Sequence, residues 1–240
     1  MVSVSFTHAP ARLEHVNERL DELRADATEL PGALDDLARI NALLLGTRLT
    51  SQCLDDLLER HPPGAPLTLL DVGCGGGELV ASVARRARRN GRPVTAIAID
   101  RNPAVVAHAR RRFGDVLDLR VGDILELDLP DDGVDVASCS LLVHHLEPDE
   151  AVRGLRELAR VSRLGIVVND LVRSRLGLIG ARTVIPVLTR NPVTRHDAVL
   201  SVRRAYTRRE LRELLAAAGL RPLSVRGALG YRVAVAAVRA

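Results

Sequence analysis

The residues best equipped for chemistry lie in LTLLDVGCGGGEL (67–79), where a short apolar run meets Asp71 and then Gly73, Gly75, Gly76 and Gly77. Glycines at the C-terminal end of a buried strand let a ligand approach the main chain, and the helix that follows presents free N–H groups. The dinucleotide fingerprint G-x-G-x-x-G does not fit. Counted from Gly73 its third glycine falls on Glu78, and counted from Gly75 it falls on Val80. An acid-x-Gly-x-Gly-x-Gly spacing fits instead, over Asp71, Gly73, Gly75 and Gly77. Asp100 closes the next apolar run, AIAID, where a carboxylate faces the crevice and can accept hydrogen bonds from both hydroxyls of a ribose. In VGDI, Asp123 can accept from an adenine amine while Ile124 packs on the ring face.

Groups able to take a proton cluster further on. His144 and His145 stand in LLVHHLEP, His196 and Asp197 in NPVTRHDAVL, and Asn169-Asp170 at the end of an apolar run. Histidines His144 and His145 are the first candidates for a catalytic role, with His196 behind them. Side chains alternate along an extended chain, so two adjacent histidines there would not both enter one cleft. Asp149 and Glu150 lie near the pair, but no metal-ligand spacing is evident, and no metal is expected. Arg48, shortly after Gly46, could hold a cofactor carboxylate through a bidentate pair. Arg195 could meet an acidic or phenolic substrate. Tyr206, just before a helix, is equally consistent with packing.

Taken in order, DVGCGGGEL, AIAID, VGDI and DVASCSLLVHHL resemble the class I S-adenosylmethionine-dependent methyltransferases, closely over 67–171 and in layout over 205–240. The resemblance implies an α/β fold: a doubly wound, mostly parallel seven-stranded sheet with its last strand antiparallel. It implies that Asp71, Gly73, Cys74 and Gly75 line the methionine part of S-adenosyl-L-methionine. Asp100 would bind the ribose, with Arg101 beside it in the binding set, and Asp123 and Ile124 the adenine. Ser140 and Leu141 would lie beneath the sulfonium. Methyl transfer is an in-line displacement, so the protein must align the acceptor, exclude water and, for a hydroxyl, remove a proton. The expected acceptor is a small molecule, methylated at a hydroxyl oxygen of a secondary metabolite or quinone-like compound. Two alternatives stand beside this. One is an RNA-modifying enzyme of the same fold, although SCSLL stands where the asparagine-proline-proline-aromatic motif of amino-group methyltransferases would be. The other is a non-catalytic cofactor-binding protein, against which the intact glycines and acids argue.

The elements that must position these residues follow from periodicity. Leu13, Val16, Leu20 and Leu23 recur at helical spacing, Pro31-Gly32 reads as a break, and Leu34, Leu37, Ile40, Leu43 and Leu44 give a second stripe. Leu54, Leu57 and Leu58 give a third, and HPPGAP (61–66) reads as a linker. Residues 1–66 are therefore expected to form a helical cap, and 67–240 the cofactor-binding domain. Strands are expected over 67–72, 94–100, 117–124, 134–142 and 165–171, alternating with helices over 78–89, 103–113 and 148–161. That alternation implies a parallel sheet with helices on both faces. The stretch 172–204 interrupts it and reads as a substrate-covering insertion, with Pro186 and Pro192 as breaks. Thr207, with Glu210 three residues on, starts a helix, and 220–225 and 231–238 read as a terminal hairpin.

Composition excludes several classes. All 34 basic residues are arginine. With no lysine there is neither a Schiff base nor a P-loop. Two phenylalanines, two tyrosines and no tryptophan cannot build a base-stacking platform, and a charge of +4 is modest, so nucleic acid is not the expected partner. An aromatic acceptor would have to be gripped by aliphatic side chains and by the arginines of 173–204. Three separated cysteines fit neither a disulfide framework nor a zinc site, and no signal peptide or membrane-length apolar stretch is visible, so a cytoplasmic protein is expected.

Overall fold

The computed structural model describes residues 9–22 and 28–240. Leu23, expected in the first apolar stripe, lies outside them. Seven strands form one sheet: β1 (Leu67–Val72), β2 (Val94–Asp100), β3 (Asp118–Val121), β4 (Val134–Ser140), β5 (Ser162–Leu171), β6 (Leu220–Ala228) and β7 (Arg232–Arg239). Their order is β3-β2-β1-β4-β5-β7-β6. The first five run parallel, and β7 is antiparallel to both β5 and β6. Strands β1, β2, β4, β5 and β7 are near-continuous apolar runs because both faces of the sheet are covered there, whereas the edge strands β3 and β6 are largely exposed. Leu70 and Val72 of β1 feed a core shared with α6 (Pro148–Val161) and α10 (Arg208–Ala217). Leu67 and Leu69 feed the opposite core, shared with α3 (Gly46–Leu58), α4 (Glu78–Arg89) and α5 (Pro103–Phe113). The period-2 alternation of a strand separates the two.

The N-terminal helices are α1 (Arg19–Glu22) and α2 (Glu29–Leu43), preceded by a non-helical segment over 9–18. Leu13 and Val16 therefore lie on irregular chain, not on a helix. Pro31 does not end a helix either. It sits in the first turn of α2, where its missing N–H would have no intrahelical partner anyway. The insertion is helical throughout: α7 (Arg175–Thr183), α8 (Ile185–Leu188) and α9 (Pro192–Arg204). Its prolines begin helices, Pro186 at the second position of α8 and Pro192 at the first position of α9. The Asn191 side chain caps α9 by accepting the Val193 N–H. The third strand is shorter than expected, because the Asp123 carboxylate accepts the Leu125 N–H and turns the chain away after Gly122. The Thr207–Glu210 capping box of α10 is formed as expected. Among the described residues, no helix is long and apolar enough to cross a membrane.

Candidate active site

The C-terminal ends of β1 to β5 open into one cleft of about 1330 Å³. Its floor is the turn between β1 and α4. Gly73 has φ +71°, and a Cβ there would press on Leu142 at 3.0 Å. Gly75 has φ +54° and faces open space, with nothing within 4 Å of a notional Cβ. Both positions favour glycine, and the second leaves room for a ligand against the main chain. Asp71 is 2 % exposed and accepts a hydrogen bond from the Ser138 hydroxyl at 2.6 Å. Burial pushes its carboxyl up to about 7; the Ser138 bond opposes this and the nearby Asp100 adds to it. Asp100 accepts the Gly75 N–H on one oxygen and the Asn102 N–H on the other, each at 3.0 Å. Burial still raises its pKa above the carboxylate norm.

The other expected cofactor residues border the same cavity. Cys74 and Ile124 are buried beside it, and Arg101 and Asp123 stand at its exposed rim. Ser140 lines it with a buried hydroxyl that has no hydrogen-bond partner. Leu141 is held at φ +56°, which a branched side chain rarely adopts. An orphaned hydroxyl, a strained residue and an open glycine, all facing one cavity, fit a polar ligand lying across the strand ends.

Beyond Ser140 the chain makes a single 3-10 turn, Val143–His145, which brings both histidines to one wall with ring centroids 4.3 Å apart. The expectation that only one could enter the cleft assumed an extended chain and is corrected by this turn. His144 Nδ1 lies 2.6 Å from Asp170 Oδ1, and its Nε2 lies 3.4 Å from Glu18 Oε1. Burial alone would lower the His144 pKa, but the Asp170 and Glu18 carboxylates outweigh it and push it up to about 10. Held as an imidazolium, His144 cannot accept a proton at neutral pH. His145 Nδ1 lies 2.8 Å from Asp21 Oδ2, and its Nε2 lies 3.8 Å from Glu18 Oε2. For Glu18 and Asp170 burial works upward, yet the histidines hold both carboxyls below their ordinary range.

Three expectations are corrected. Arg48 is exposed and absent from the described cleft lining, because α3 buries Leu49, Cys53 and Leu57 and turns position 48 to solvent. A buried arginine that does reach the wall is Arg232, 2 % exposed, bonded to Asn169 Oδ1 at 2.8 Å and Asn41 Oδ1 at 2.5 Å. His196 also lies outside the cleft. Its ring is half-exposed and paired with Asp197, whose carboxylate in turn accepts the Arg19 and Leu20 N–H groups at the start of α1. None of the arginines of 173–204 lines the cavity. Arg173 bonds Pro10 O, Arg195 braces Pro186 O and Thr189 O, and Arg204 bonds Val16 O and His145 O. They tie the insertion and the N-terminal segment together. Tyr206 is packing: its hydroxyl donates to Leu146 O under the Arg12 guanidinium.

Sequence reasoning missed Glu18, Asp21, Asn41 and Arg232. Glu18 and Asp21 meet His144 and His145 only through the fold, and no local spacing announces them. Arg232 begins an apolar strand, YRVAVAAV, and that was an available signal. A charge at the head of a fully buried strand needs a reason.

Residues 69–165 match the family described as "Methyltransferase domain". Indolepyruvate C-methyltransferase of Streptomyces griseus is 32% identical over 112 residues, 44% of this chain and 32% of the relative. The 27-O-demethylrifamycin SV methyltransferase of Amycolatopsis mediterranei is 36% identical over 136 residues, 54% of this chain and 48% of the relative. The chain thus spans less than half the length of these relatives. Among solved structures, a SAM-dependent methyltransferase from Aquifex aeolicus superposes with a TM-score of 0.57 at 21% identity, covering 83% of this chain and 96% of that one. At that identity the likeness speaks for the fold.

Proposed function

We propose that this chain carries a class I S-adenosylmethionine-dependent methyltransferase domain and that it methylates a hydroxyl oxygen of a small, largely apolar acceptor of the secondary-metabolite kind. The observation that carries this is one continuous cavity. Its floor has the glycine turn tied to Asp100, and its far wall has the Glu18, His144 and His145 corner. When bound, S-adenosylmethionine supplies a methyl group already activated by its sulfonium.

The chain's own residues do the rest. Asp100, oriented by the Gly75 and Asn102 amides, keeps lone pairs free for two ribose hydroxyls. Asp71 offers buried negative charge to a cationic ligand, and the Ser140 hydroxyl offers a donor beside the strand end. Ile124 packs against the adenine, with Asp123 and Arg101 at the rim. The acceptor hydroxyl meets the corner of Glu18, His144 and His145, where His145, its Nδ1 held by Asp21, takes the hydroxyl proton at Nε2. The segment 9–22, helix α2 and the 172–204 insertion serve as the cover. Leu43, Leu45, Leu176, Ile179 and Val184 are exposed large apolar side chains that line the cleft, and such a rim suits an apolar acceptor better than a phosphate backbone. The O-methyltransferase relative from Amycolatopsis supports an oxygen acceptor, and the C-methyltransferase relative from Streptomyces supports a small-molecule one.

Calorimetry with S-adenosylmethionine and its demethylated product tests the first half. No binding of either would sink the proposal. Incubation with a panel of hydroxylated and carbon-acid acceptors, read as methyl incorporation by mass spectrometry, tests the second. Methylation on carbon alone would overturn the assignment to oxygen, and cofactor binding without turnover on any acceptor would favour a non-catalytic role.

A further inference from the structure

We propose that Glu18, His144 and His145 form a divalent-cation site in the acceptor wall of the cleft. The three side chains are buried or nearly so, and one ligand atom from each lies within 4.8 Å of the others. The separations decide between two uses of this cluster. A hydrogen-bonded ion pair would close an imidazole N–H onto the carboxylate at about 2.7–3.2 Å. Here Nε2 of His144 and Nε2 of His145 stand 3.4 and 3.8 Å from the two Glu18 oxygens. Atoms that each lie about 2.1 Å from one ion stand about 3 Å apart at right angles and about 4 Å apart when opposite. Both separations fall in that interval.

The surroundings of the three groups point the same way. Each Nδ1 is engaged by a carboxylate, His144 with Asp170 at 2.6 Å and His145 with Asp21 at 2.8 Å. A ligating histidine is ordinarily fixed by such a bond, which settles its tautomer and aims the lone pair of the other nitrogen at the metal. The Ser201 hydroxyl donates to Glu18 Oε1 at 2.6 Å and fixes the carboxylate in turn. With neutral imidazoles, Glu18, Asp21 and Asp170 outnumber the cations that face them, Arg101 at 3.4 Å from Asp21 and Arg232 beside Asp170. A dication would replace the imidazolium proton as the charge these acids hold. Two imidazoles and one carboxylate suit zinc, cobalt, manganese or ferrous iron better than magnesium or calcium. All three residues line the cavity, so the open coordination positions face the space assigned to the acceptor. An ion there would polarise the acceptor oxygen. That role rests on the methyltransferase reading above; the binding of the ion does not.

The test uses the full chain, freed of any histidine tag, stripped with a chelator and titrated with Co²⁺ and Zn²⁺. We expect one equivalent per chain, seen as visible d–d absorption for Co²⁺ and by equilibrium dialysis for Zn²⁺. Glu18→Gln should weaken binding at least about tenfold, and Asp21→Asn, which leaves all three ligands in place, by about 10–100-fold. Absence of stoichiometric binding, or unchanged binding in both variants, would overturn the site. Calorimetry with S-adenosylmethionine on the same preparations separates the two ideas. Lost cofactor binding with metal binding intact would count against the methyltransferase reading alone, and the reverse against the metal site alone.

Discussion

Gly75 donates its backbone N–H to Asp100 Oδ2 at 3.0 Å, so the acid that ends β2 holds the glycine turn that ends β1. Asp100 is thereby a ligand group and a brace at once. Asp100→Asn keeps an oxygen to accept one amide but loses the charge and half of the acceptor capacity. Affinity for S-adenosylmethionine should fall about 10–100-fold, the worth of one charge-assisted hydrogen bond of about 1.5–3 kcal/mol. The amide nitrogen would face one of the two backbone N–H donors that the carboxylate now accepts, so the melting temperature should fall as well. Calorimetry and a thermal scan on one preparation check both halves, and unchanged affinity would remove Asp100 from the cofactor site.

Asp71 makes cofactor binding depend on pH. Its carboxyl, pushed up to about 7 by burial, is substantially protonated in the free protein near neutrality. A cationic ligand beside it favours the ionised form. Binding should therefore release protons, and affinity should rise with pH up to about 7 and level off above it. For folding the sign is opposite. The folded chain holds this proton more tightly than the unfolded chain, so the group's contribution is fully present below the ordinary carboxyl pKa of about 4 and is lost as pH rises to about 7. Asp71→Asn should flatten both dependences. Calorimetry in two buffers of different ionisation enthalpy measures the proton release, and none at pH 6–7 would contradict the assignment.

The two arginines that exchanged places give a paired prediction. Arg48→Ala should leave cofactor affinity within about twofold and stability within about 0.5 kcal/mol, as for an ordinary surface position. Arg232→Met strips partners from the buried oxygens of Asn41 and Asn169. At about 1–3 kcal/mol for each buried group left unpaired, the denaturation midpoint should drop clearly. Burial depresses the Arg232 pKa only to about 10, so the residue stays charged at neutral pH and its loss is the loss of a cation. Equal midpoints for the two variants would refute this contrast.

What was legible in the sequence follows from where each signal resides. The glycine turn, Asp100 and the alternation of strand and helix are local, and burial on both faces makes the central parallel strands β1, β2, β4 and β5 conspicuous apolar runs. The prolines of 172–204 misled because a proline that stops one helix is chemically the same as one that starts another, and only the Asn191 cap distinguishes them. For Arg48 the sequence holds a contrary signal: Leu49, Cys53 and Leu57 mark the buried face of α3, and position 48 lies off it. The Glu18 corner was beyond reach, since it joins residue 18 to residues 144 and 145 through the packing of an irregular segment.

Arg204 is the staple that makes that corner. It is 3 % exposed, and its guanidinium donates to Val16 O in the N-terminal segment and to His145 O in the 3-10 turn, while its own carbonyl accepts from Arg12. With Arg12, which bonds Leu146 O and Glu147, this side chain fixes the segment carrying Glu18 and Asp21 to the turn carrying His144 and His145. Arg204→Met keeps the apolar stem and removes the donors, so the helix around it should persist while the segment loosens. Amide exchange should quicken over residues 12–21 and remain unchanged in β1 and β4. Cofactor affinity should stay within about threefold, because Asp71, Gly75 and Asp100 are untouched, whereas turnover should fall by about tenfold or more as Glu18 leaves its place. Wild-type exchange in 12–21 together with lost turnover would mean that Arg204 acts on the reaction by another route.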